Sequence, residues 1–141
     1  MVAVAILCLN SPEVEVISAA PIVASRPLGP SLRRYANTVV EVRSRLWPDQ
    51  LLHHLHGLER LLGRRRRGRA WSARVIDLDI VLWDGGPWVS PGLVVPHRSF
   101  RERDFVLGPA AAVGPGWRDP LSGLTLRQLS ARLTRRARVP R

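Results

Sequence analysis

The sequence predicts an α+β fold in which helices cover one face of an antiparallel sheet. Three observations support this class: β-branched apolar stretches lie early in the chain, a stripe of leucines in helical spacing follows, and a second helical stripe lies near the C-terminus. A chain of 141 residues suits one domain with a single core. We therefore expect one domain over residues 1–141, with an atypical segment at 1–10 and a basic tail at 135–141.

Apolar stretches separated by breaks make up the N-terminal part of the chain. Met1–Leu9 is apolar without a clear period, so it is either a buried strand or the end of a buried helix. Glu13–Ala24 has strand composition, although Pro21 within it indicates an edge strand or a bulge. Tyr35–Val42 predicts a second strand. Because the stiff loop Ser25–Pro30 joins these strands, we expect them to form an antiparallel pair.

A long amphipathic helix is expected next. Pro48 and Asp49 suit a first helical turn, and Gly63 suits the stop. Glu59 would lie in the last turn, where an acid is poorly placed against the helix dipole. We therefore expect Glu59 to have a specific partner, either an arginine of the next loop or a ligand group. The leucines that form the stripe are Leu51, Leu52, Leu55, Leu58, Leu61 and Leu62.

The stretch Val75–Leu82 combines strand composition with two acids, Asp77 and Asp79. Successive side chains of a strand point to opposite faces, so the two acids would share one face and the apolar residues the other. The two carboxylates would then lie roughly 6.5–7 Å apart. Mg²⁺ prefers a few carboxylate ligands completed by water and phosphate oxygens. The spacing therefore predicts a site that can hold one or two divalent cations.

Arginines cluster immediately before this predicted strand, at Arg64, Arg65, Arg66, Arg67, Arg69 and Arg74. Guanidinium groups bind phosphate oxygens in pairs and stay charged. Carboxylates for metal beside arginines for phosphate are typical of phosphoryl transfer. The alternative is that Asp77 and Asp79 only pair with arginines on a solvated surface.

The C-terminal half predicts short extended pieces followed by helices. Trp88–Val95 contains two short extended pieces around a Pro-Gly turn, and Phe105–Val113 predicts a short helix. Thr125 and Gln128 have the spacing of a capping box. The C-terminal helix that it begins would bury Leu126, Leu129 and Leu133.

Charge and composition narrow the function classes. All 22 basic residues are arginine and the net charge is +11, which favours anionic partners such as nucleotides or nucleic acid. Cys8 is the single cysteine, which excludes a disulfide framework and a thiolate metal site. Met1–Leu9 is too short to span a bilayer and lacks the basic start of a signal peptide. We therefore expect a cytoplasmic protein with no membrane partner.

The acidic stretch stands within an ordered series of motifs. Arg74–Ile80 has the form R-x-x-D-L-D-I, and Trp71 lies three residues before it. The other motifs are Leu28-Gly29-Pro30, Tyr35-x-Asn37, Glu59-x-x-x-Gly63-Arg64-x-Arg66, Val95-Pro96-His97 and Arg103-x-Phe105. In this order, over residues 13–133, they resemble the 6-hydroxymethyl-7,8-dihydropterin pyrophosphokinase family of folate biosynthesis.

The resemblance implies a ferredoxin-like fold and transfer of pyrophosphate from ATP, the co-substrate, to the hydroxymethyl group of the pterin, with release of AMP. It implies two Mg²⁺ ions held by Asp77 and Asp79, and phosphates stabilised by Arg64 and Arg74. The ATP-site residues it implies are Glu59, Arg64, Arg66, Trp71, Arg74, Ile80, His97 and Arg103. The pterin-site residues it implies are Ser25, Leu28, Tyr35, Asn37 and Phe105. With small-molecule substrates we expect a monomer and no nucleic-acid partner.

The side-chain chemistry of the implied pterin site agrees with a flat polar ring. Tyr35 and Phe105 could stack on its two faces, and the Asn37 amide offers a donor and an acceptor to its edge. Each also has a structural alternative, since both aromatics could be core residues and Asn37 a turn residue.

The N-terminal segment departs from the family pattern, which opens with a strand ending in Gly-Ser-Asn. Residues 1–10 do not contain that motif, so the first strand is apparently missing, and its loss would open a sheet edge. Arg26, Ala70 and Arg98 also replace the family's proline, arginine and tyrosine. Three explanations compete: a wrongly assigned start, which we favour, an inactive truncated copy, or a diverged protein. The alternatives for function are an ATP-binding remnant of the family and a basic nucleic-acid-binding module.

Overall fold

The computed structural model describes residues 1–25, 35–64 and 76–138, without the side chains of Ser25, Tyr35, Arg64 and Arg138. Its helices are α1 (Val2–Leu9), α2 (Pro48–Arg64), α3 (Asp104–Val113) and α4 (Leu126–Arg138), with a 3-10 turn at Phe100–Glu102. Its strands are β1 (Val14–Ala19), β2 (Val23–Ser25), β3 (Tyr35–Asn37), β4 (Val40–Ser44), β5 (Trp88–Ser90) and β6 (Leu93–Val95). The predicted α+β class is confirmed.

The described strands form three antiparallel pairs, β1 with β4, β2 with β3, and β5 with β6. In the first pair Val14 lies opposite Ser44, and the register shifts between Val16 and Ser18. The predicted stretch Glu13–Ala24 is two strands separated around Pro21, because proline has no N–H to donate to a ladder. The predicted antiparallel pairing of the N-terminal strands is confirmed.

The apolar segment at the N-terminus is a helix, which decides between the two alternatives that the sequence left open. Ala5 and Leu9 of α1 are buried against Leu55, Leu58 and Leu62 of α2. This first core cluster therefore joins the N-terminal helix to the leucine stripe of α2. The predicted start of α2 is confirmed, and the helix runs to Arg64, one residue past the expected stop.

A second core cluster lies around the 3-10 turn and the two C-terminal helices. Phe100 and Leu107 are fully buried, and Leu126 and Leu129 of α4 pack with them. The predicted capping box is present: the Gln128 N–H donates to Oγ1 of Thr125 at 3.1 Å, and the Thr125 N–H donates to Oε1 of Gln128 at 2.9 Å. Local capping chemistry therefore fixes the start of α4.

The prediction of a strand over Val75–Leu82 is wrong for the described part, because residues 76–82 belong to no ladder among the described strands. The alternation that motivated the prediction is nevertheless present. Ile76, Leu78 and Ile80 pack on the first core cluster, whereas both acids between them are exposed. Composition and alternation indicate an extended chain, but a strand also requires a neighbouring strand, and no described strand lies in register with this segment.

None of the helices in the described ranges combines the length and the apolar composition that crossing a bilayer requires.

Candidate active site

The two acids of the predicted metal site lie on an extended segment with one side turned to solvent. Asp77 and Asp79 are exposed, and the side chain of Asp79 keeps 60% of its accessible surface. The apolar residues that alternate with them are held in the core. Since alternate side chains of an extended chain point the same way, both carboxylates lie on the side away from the core.

Glu59 fixes the position of this segment. The backbone N–H of Leu78, the residue between the two acids, donates to Oε2 of Glu59 at 2.7 Å. The sequence led us to expect an arginine or a ligand group as the partner, whereas the described partner is a backbone amide. A carboxylate that accepts a hydrogen bond forms a short, charge-assisted contact. Because α2 runs on to Arg64, Glu59 lies before the last turn of the helix and not in it. The C-terminal half of α2 therefore holds the acidic segment directly.

His97, which follows the acidic segment in the chain, also contacts it. Its backbone N–H donates to the carbonyl of Val81 at 2.9 Å, and its Nε2 lies 4.0 Å from Oδ2 of Asp79. Its Nδ1 accepts a hydrogen bond from the N–H of Ser99 at 3.3 Å. Because Nδ1 is an acceptor, a neutral ring carries its proton on Nε2, facing the carboxylate. The structure therefore brings His97 close to Asp79.

The other described candidates lie on elements next to this contact. Ile80 follows Asp79 and is half-buried against the first core cluster. Arg103 is exposed, and its carbonyl accepts the N–H groups of Val106 and Leu107 at the start of α3. Phe105 is half-buried in the first turn of α3.

The predicted pterin-site residues on the strands lie together in one pair. Ser25 is opposite Tyr35 in the β2–β3 register, and Asn37 is opposite Val23. Asn37 also lines a cavity of about 750 Å³ whose wall includes both acids and Ile80. Asn37 and the acidic pair thus face one common space.

Several candidates fall outside the described residues. These are Leu28, Arg66, Trp71 and Arg74, together with the side chains of Ser25, Tyr35 and Arg64. The arginine cluster is joined directly to described chain at both ends, since α2 ends at Arg64 and Ile76 begins the acidic segment.

The donor set of the acidic pair fits magnesium. Two exposed carboxylates two residues apart offer hard oxygen ligands, and Mg²⁺ usually takes one or two carboxylates and completes its shell with water and phosphate. Among the described residues no group of three or more histidine, cysteine or acidic side chains could hold a metal ion. Nothing in the described donor set therefore provides the closed cage of a structural zinc or calcium site.

Two buried or half-buried polar contacts were missed by the sequence reasoning. Asp119 is fully buried, and its two oxygens accept hydrogen bonds from Arg101 at 2.6 and 2.7 Å. The Arg101 guanidinium, with help from the Ser122 hydroxyl, lowers the pKa of Asp119 to about 2. The indole N–H of Trp117 donates to Oε1 of Glu41 at 2.8 Å, joining β4 to the loop before α4. Both contacts join residues too distant in sequence for a periodic pattern to indicate them.

An aromatic cluster, Trp47–Trp83–Trp88, also escaped the sequence reasoning. The ring centroids of Trp47 and Trp83 lie 5.9 Å apart, and those of Trp83 and Trp88 lie 5.5 Å apart, both edge to face. Trp47 and Trp88 are stacked at 5.9 Å. The only signal in the sequence was an excess of tryptophan, 5 residues in this short chain, which indicates no particular pairing. The cluster joins the start of α2 to the end of the acidic segment.

Comparison with known proteins identifies a matching protein family. The model of the 7,8-dihydro-6-hydroxymethylpterin-pyrophosphokinase (HPPK) family matches residues 1–115. The match therefore includes residues 1–10, which the motif series in the sequence does not reach.

Curated relatives named 2-amino-4-hydroxy-6-hydroxymethyldihydropteridine pyrophosphokinase are similar over most of the chain. The protein of Synechocystis sp. is 38% identical over 105 residues, which cover 74% of this chain and 53% of the relative. That of Methylorubrum extorquens is 38% identical over 99 residues, covering 70% and 61%. That of Pseudomonas aeruginosa is 38% identical over 110 residues, covering 77% and 67%. The chain thus spans roughly half to two thirds of the length of these relatives.

Proposed function

Because this chain belongs to the 7,8-dihydro-6-hydroxymethylpterin-pyrophosphokinase family, we propose that it transfers pyrophosphate from ATP to 6-hydroxymethyl-7,8-dihydropterin and releases AMP, a step of folate biosynthesis. The observation that carries the proposal is the exposed pair Asp77 and Asp79 on a segment held by Glu59 and contacted by His97. For this part of the motif series, the structure describes both the residues and the contacts that position them.

In the proposed site, Asp77 and Asp79 hold two Mg²⁺ ions. Bound magnesium would supply charge neutralisation at the β- and γ-phosphates of ATP. The protein's part is to hold the two carboxylates near each other, and the hydrogen bond from the Leu78 N–H to Glu59, which anchors the backbone between them, supports this role. Nε2 of His97 lies 4.0 Å from Oδ2 of Asp79, beside the proposed metal ligands. Fixed ligands cost no reorganisation when charge develops in the transition state.

The arginines of the proposed site bind the phosphates. Arg64 and Arg74 stabilise the transferring group, and Arg66, Trp71, Ile80, His97 and Arg103 complete the ATP site with Glu59. Support comes from chain order, because the arginine cluster connects the last residue of α2 to the acidic segment. A guanidinium remains charged throughout the reaction and presents paired donors to phosphate oxygens.

The pterin lies, in this proposal, between Tyr35 and Phe105, with Asn37 at its polar edge and Ser25 and Leu28 beside it. The register that sets Ser25 opposite Tyr35 supports a shared location for these two residues. Asn37 and the acidic pair line one cavity, which supports a pterin close to the metal ligands. Stacking excludes water from both faces of the ring and orients its hydroxymethyl group.

The decisive experiment identifies the nucleotide product. The full chain is incubated with Mg-ATP and 6-hydroxymethyl-7,8-dihydropterin, and AMP and ADP are separated by chromatography. We expect AMP together with the pyrophosphorylated pterin. Asp79→Asn should reduce the rate at least a hundredfold, because one ligand of the proposed metal pair becomes neutral. Asp84→Asn is the matched control, since it removes one exposed carboxylate from the adjacent turn and should leave the rate unchanged.

Other outcomes separate this proposal from its alternatives. Formation of ADP would show ordinary phosphoryl transfer and refute the pyrophosphokinase. A rise in melting temperature with Mg-ATP, without any AMP, would identify an ATP-binding remnant. Binding to nucleic acid that weakens steeply with salt, without AMP formation, would favour the basic module instead.

A further inference from the structure

The aromatic cluster, Trp47–Trp83–Trp88, lies outside both cores. None of its three rings belongs to either core cluster of the described residues, and Trp47 keeps 56% of its accessible surface. A tryptophan contributes most to stability when its large ring is buried. Three rings that gather away from the core, one of them more than half exposed, therefore indicate a role besides burial.

The ring of Trp88 is held in one orientation. Its indole N–H donates to Oγ of Ser90 on the same strand at 3.0 Å, and Trp47 stacks on it with the two planes 20° apart. Trp83 meets it edge to face, with the planes 90° apart, which is a preferred geometry for aromatic pairs. Trp83 is therefore packed against a ring whose own position is fixed by two other contacts.

The turn after the acidic segment directs Trp83 towards Trp88. The N–H of Gly86 donates to the carbonyl of Trp83 at 3.1 Å, and Gly86 has a φ of +98°, which favours glycine. The indole of Trp83 folds back over Gly85, where an added Cβ would overlap the ring carbons. The two glycines therefore allow both the turn and the place of the ring.

The strand that carries Trp88 belongs to the hairpin that leads to His97. β5 and β6 pair so that Trp88 lies opposite the buried Val95, and His97 follows Val95 by two residues. The N–H of His97 donates to the carbonyl of Val81, which precedes Trp83 by two residues. The hydrogen bond and the contact between the two tryptophans therefore join the same two parts of the chain, the acidic segment and the hairpin.

The residues that follow His97 hold it in a different way. Its Nδ1 accepts the N–H of Ser99 at 3.3 Å, and its carbonyl accepts the N–H of the buried Phe100 at 3.4 Å. These contacts place the imidazole relative to the 3-10 turn, and neither of them reaches the acidic segment. The approach of His97 to Asp79 therefore depends on how the hairpin lies against that segment.

We propose that Trp83 and Trp88 are positioning residues, which hold the hairpin against the acidic segment and so set the approach of His97 to Asp79. This inference rests on the proposed function, in which His97 and Asp79 belong to one site. One hydrogen bond fixes a point of contact but leaves the angle between two segments free, and packed rings two residues farther along the chain set that angle. The two tryptophans act through His97 and not on the substrate.

Hydrogen exchange of the full chain without substrates tests the positioning by itself. Trp83→Leu removes the ring, and we expect the amide of His97 to exchange at least tenfold faster, because its bond to Val81 opens more often. The amide of Leu126, which donates to the carbonyl of Trp117 at 2.8 Å, should change less than twofold. Trp83→Phe keeps an aromatic edge and should restore most of the protection of His97.

A pair of glycine variants leaves all three tryptophans in place. Gly85→Ala puts a methyl group where the ring of Trp83 lies, so it should displace the ring and accelerate exchange at His97. Gly116→Ala is the matched control, because an added Cβ at that position meets no atom within 4 Å, and exchange at His97 should stay as in the parent. If Trp83→Leu does not fold, this pair still tests the proposal.

Steady-state kinetics of AMP formation connect the aromatic cluster to the site. In Trp83→Leu the KM for Mg-ATP should rise at least tenfold, because the proposed function assigns His97 to the ATP site. The KM for the pterin should change less than twofold, since the described strands that carry pterin-site residues, β2 and β3, pair with each other and not with the hairpin. A loss of general stability would not separate the two substrates in this way.

Three results would overturn the proposal. The first is unchanged exchange at His97 in Trp83→Leu, or in Gly85→Ala if the leucine variant does not fold. The second is equal acceleration at His97 and Leu126, which would show general destabilisation, and the third is an equal rise in both KM values. A parent chain that forms no AMP would instead refute the proposed function, and the exchange results would still decide whether the tryptophans hold His97.

Discussion

The hydrogen bond between Glu59 and the backbone of Leu78 allows a test of how the acidic segment is held. Glu59→Ala removes a charge-assisted contact of 2.7 Å in a half-buried setting, and such bonds contribute about 1.5–3 kcal/mol. Glu59 lies before the last turn of α2, where the helix dipole has little effect. We therefore expect a loss of about 1.5–3 kcal/mol in the free energy of unfolding, or roughly 5–10 °C in melting temperature.

The assay for this prediction has a structural and a catalytic part. Hydrogen exchange should accelerate at the amide of Leu78, because its acceptor is gone. The rate of AMP formation should fall tenfold to a hundredfold, since a small displacement of metal ligands strongly affects phosphoryl transfer. Glu59→Gln keeps an acceptor oxygen and should recover part of both losses.

Arg60→Ala is the matched control, because it changes the adjacent exposed position of the same helix. It should leave the exchange of Leu78 and the rate of AMP formation unchanged. If Glu59→Ala and Arg60→Ala have equal stability and equal exchange at Leu78, Glu59 does not hold the segment and the reasoning fails.

Three further predictions concern contacts that stabilise the fold. The guanidinium of Arg101 lowers the pKa of Asp119 from 3.8 to about 2. This carboxylate therefore contributes about 2 kcal/mol to the free energy of unfolding above pH 4, and the contribution is lost as the pH falls towards 2. Urea unfolding at pH 6 and pH 2.5 should show the loss, and Asp119→Asn should abolish that part of the pH dependence. Trp117→Phe removes the hydrogen bond to Glu41 and should cost about 1–2 kcal/mol in urea unfolding; an unchanged midpoint would contradict it. Thr125→Ala removes a cap of α4 and should cost about 0.5–2 kcal/mol, whereas Thr125→Ser should cost little; equal losses in both would contradict capping.

Local chemistry accounts for the parts of the fold that could be predicted from the sequence. The leucine stripe of α2 and the capping box at Thr125 involve residues within a few positions of each other. The Pro-Gly turn between β5 and β6 is local in the same way. Periodicity and capping are properties of short windows, so a sequence reveals them directly.

Pairing between distant segments could not be predicted in the same way. The alternation in residues 76–82 correctly indicated an extended chain with exposed acids, but it carried no information on a neighbouring strand. Glu59 finds its partner 19 positions away, and Trp117 finds Glu41 76 positions away. Met1–Leu9 was ambiguous because nearly every residue in it is apolar, which removes the period that separates a helix from a strand.

The candidate site also contains features of both kinds, those that short sequence windows indicate and those that depend on contacts between distant segments. The acidic pair followed from residue type and spacing, whereas no pattern in the sequence indicated that His97 would lie 4.0 Å from Asp79. The functions of these residues, and those of Arg64, Arg74 and Tyr35, stay predictions until the product assay is done.

The tryptophan cluster provides a second contact between α2 and the acidic segment. Trp83 lies against Trp47 just before the helix begins, while Leu78 is bound to Glu59 in its C-terminal half. The helical distance from 47 to 59 is about 18 Å, and the extended distance from 78 to 83 is about 17 Å. Attachment at two ends prevents rotation about either one. Any tilt of α2 would therefore move the carboxylates of Asp77 and Asp79 together with the helix.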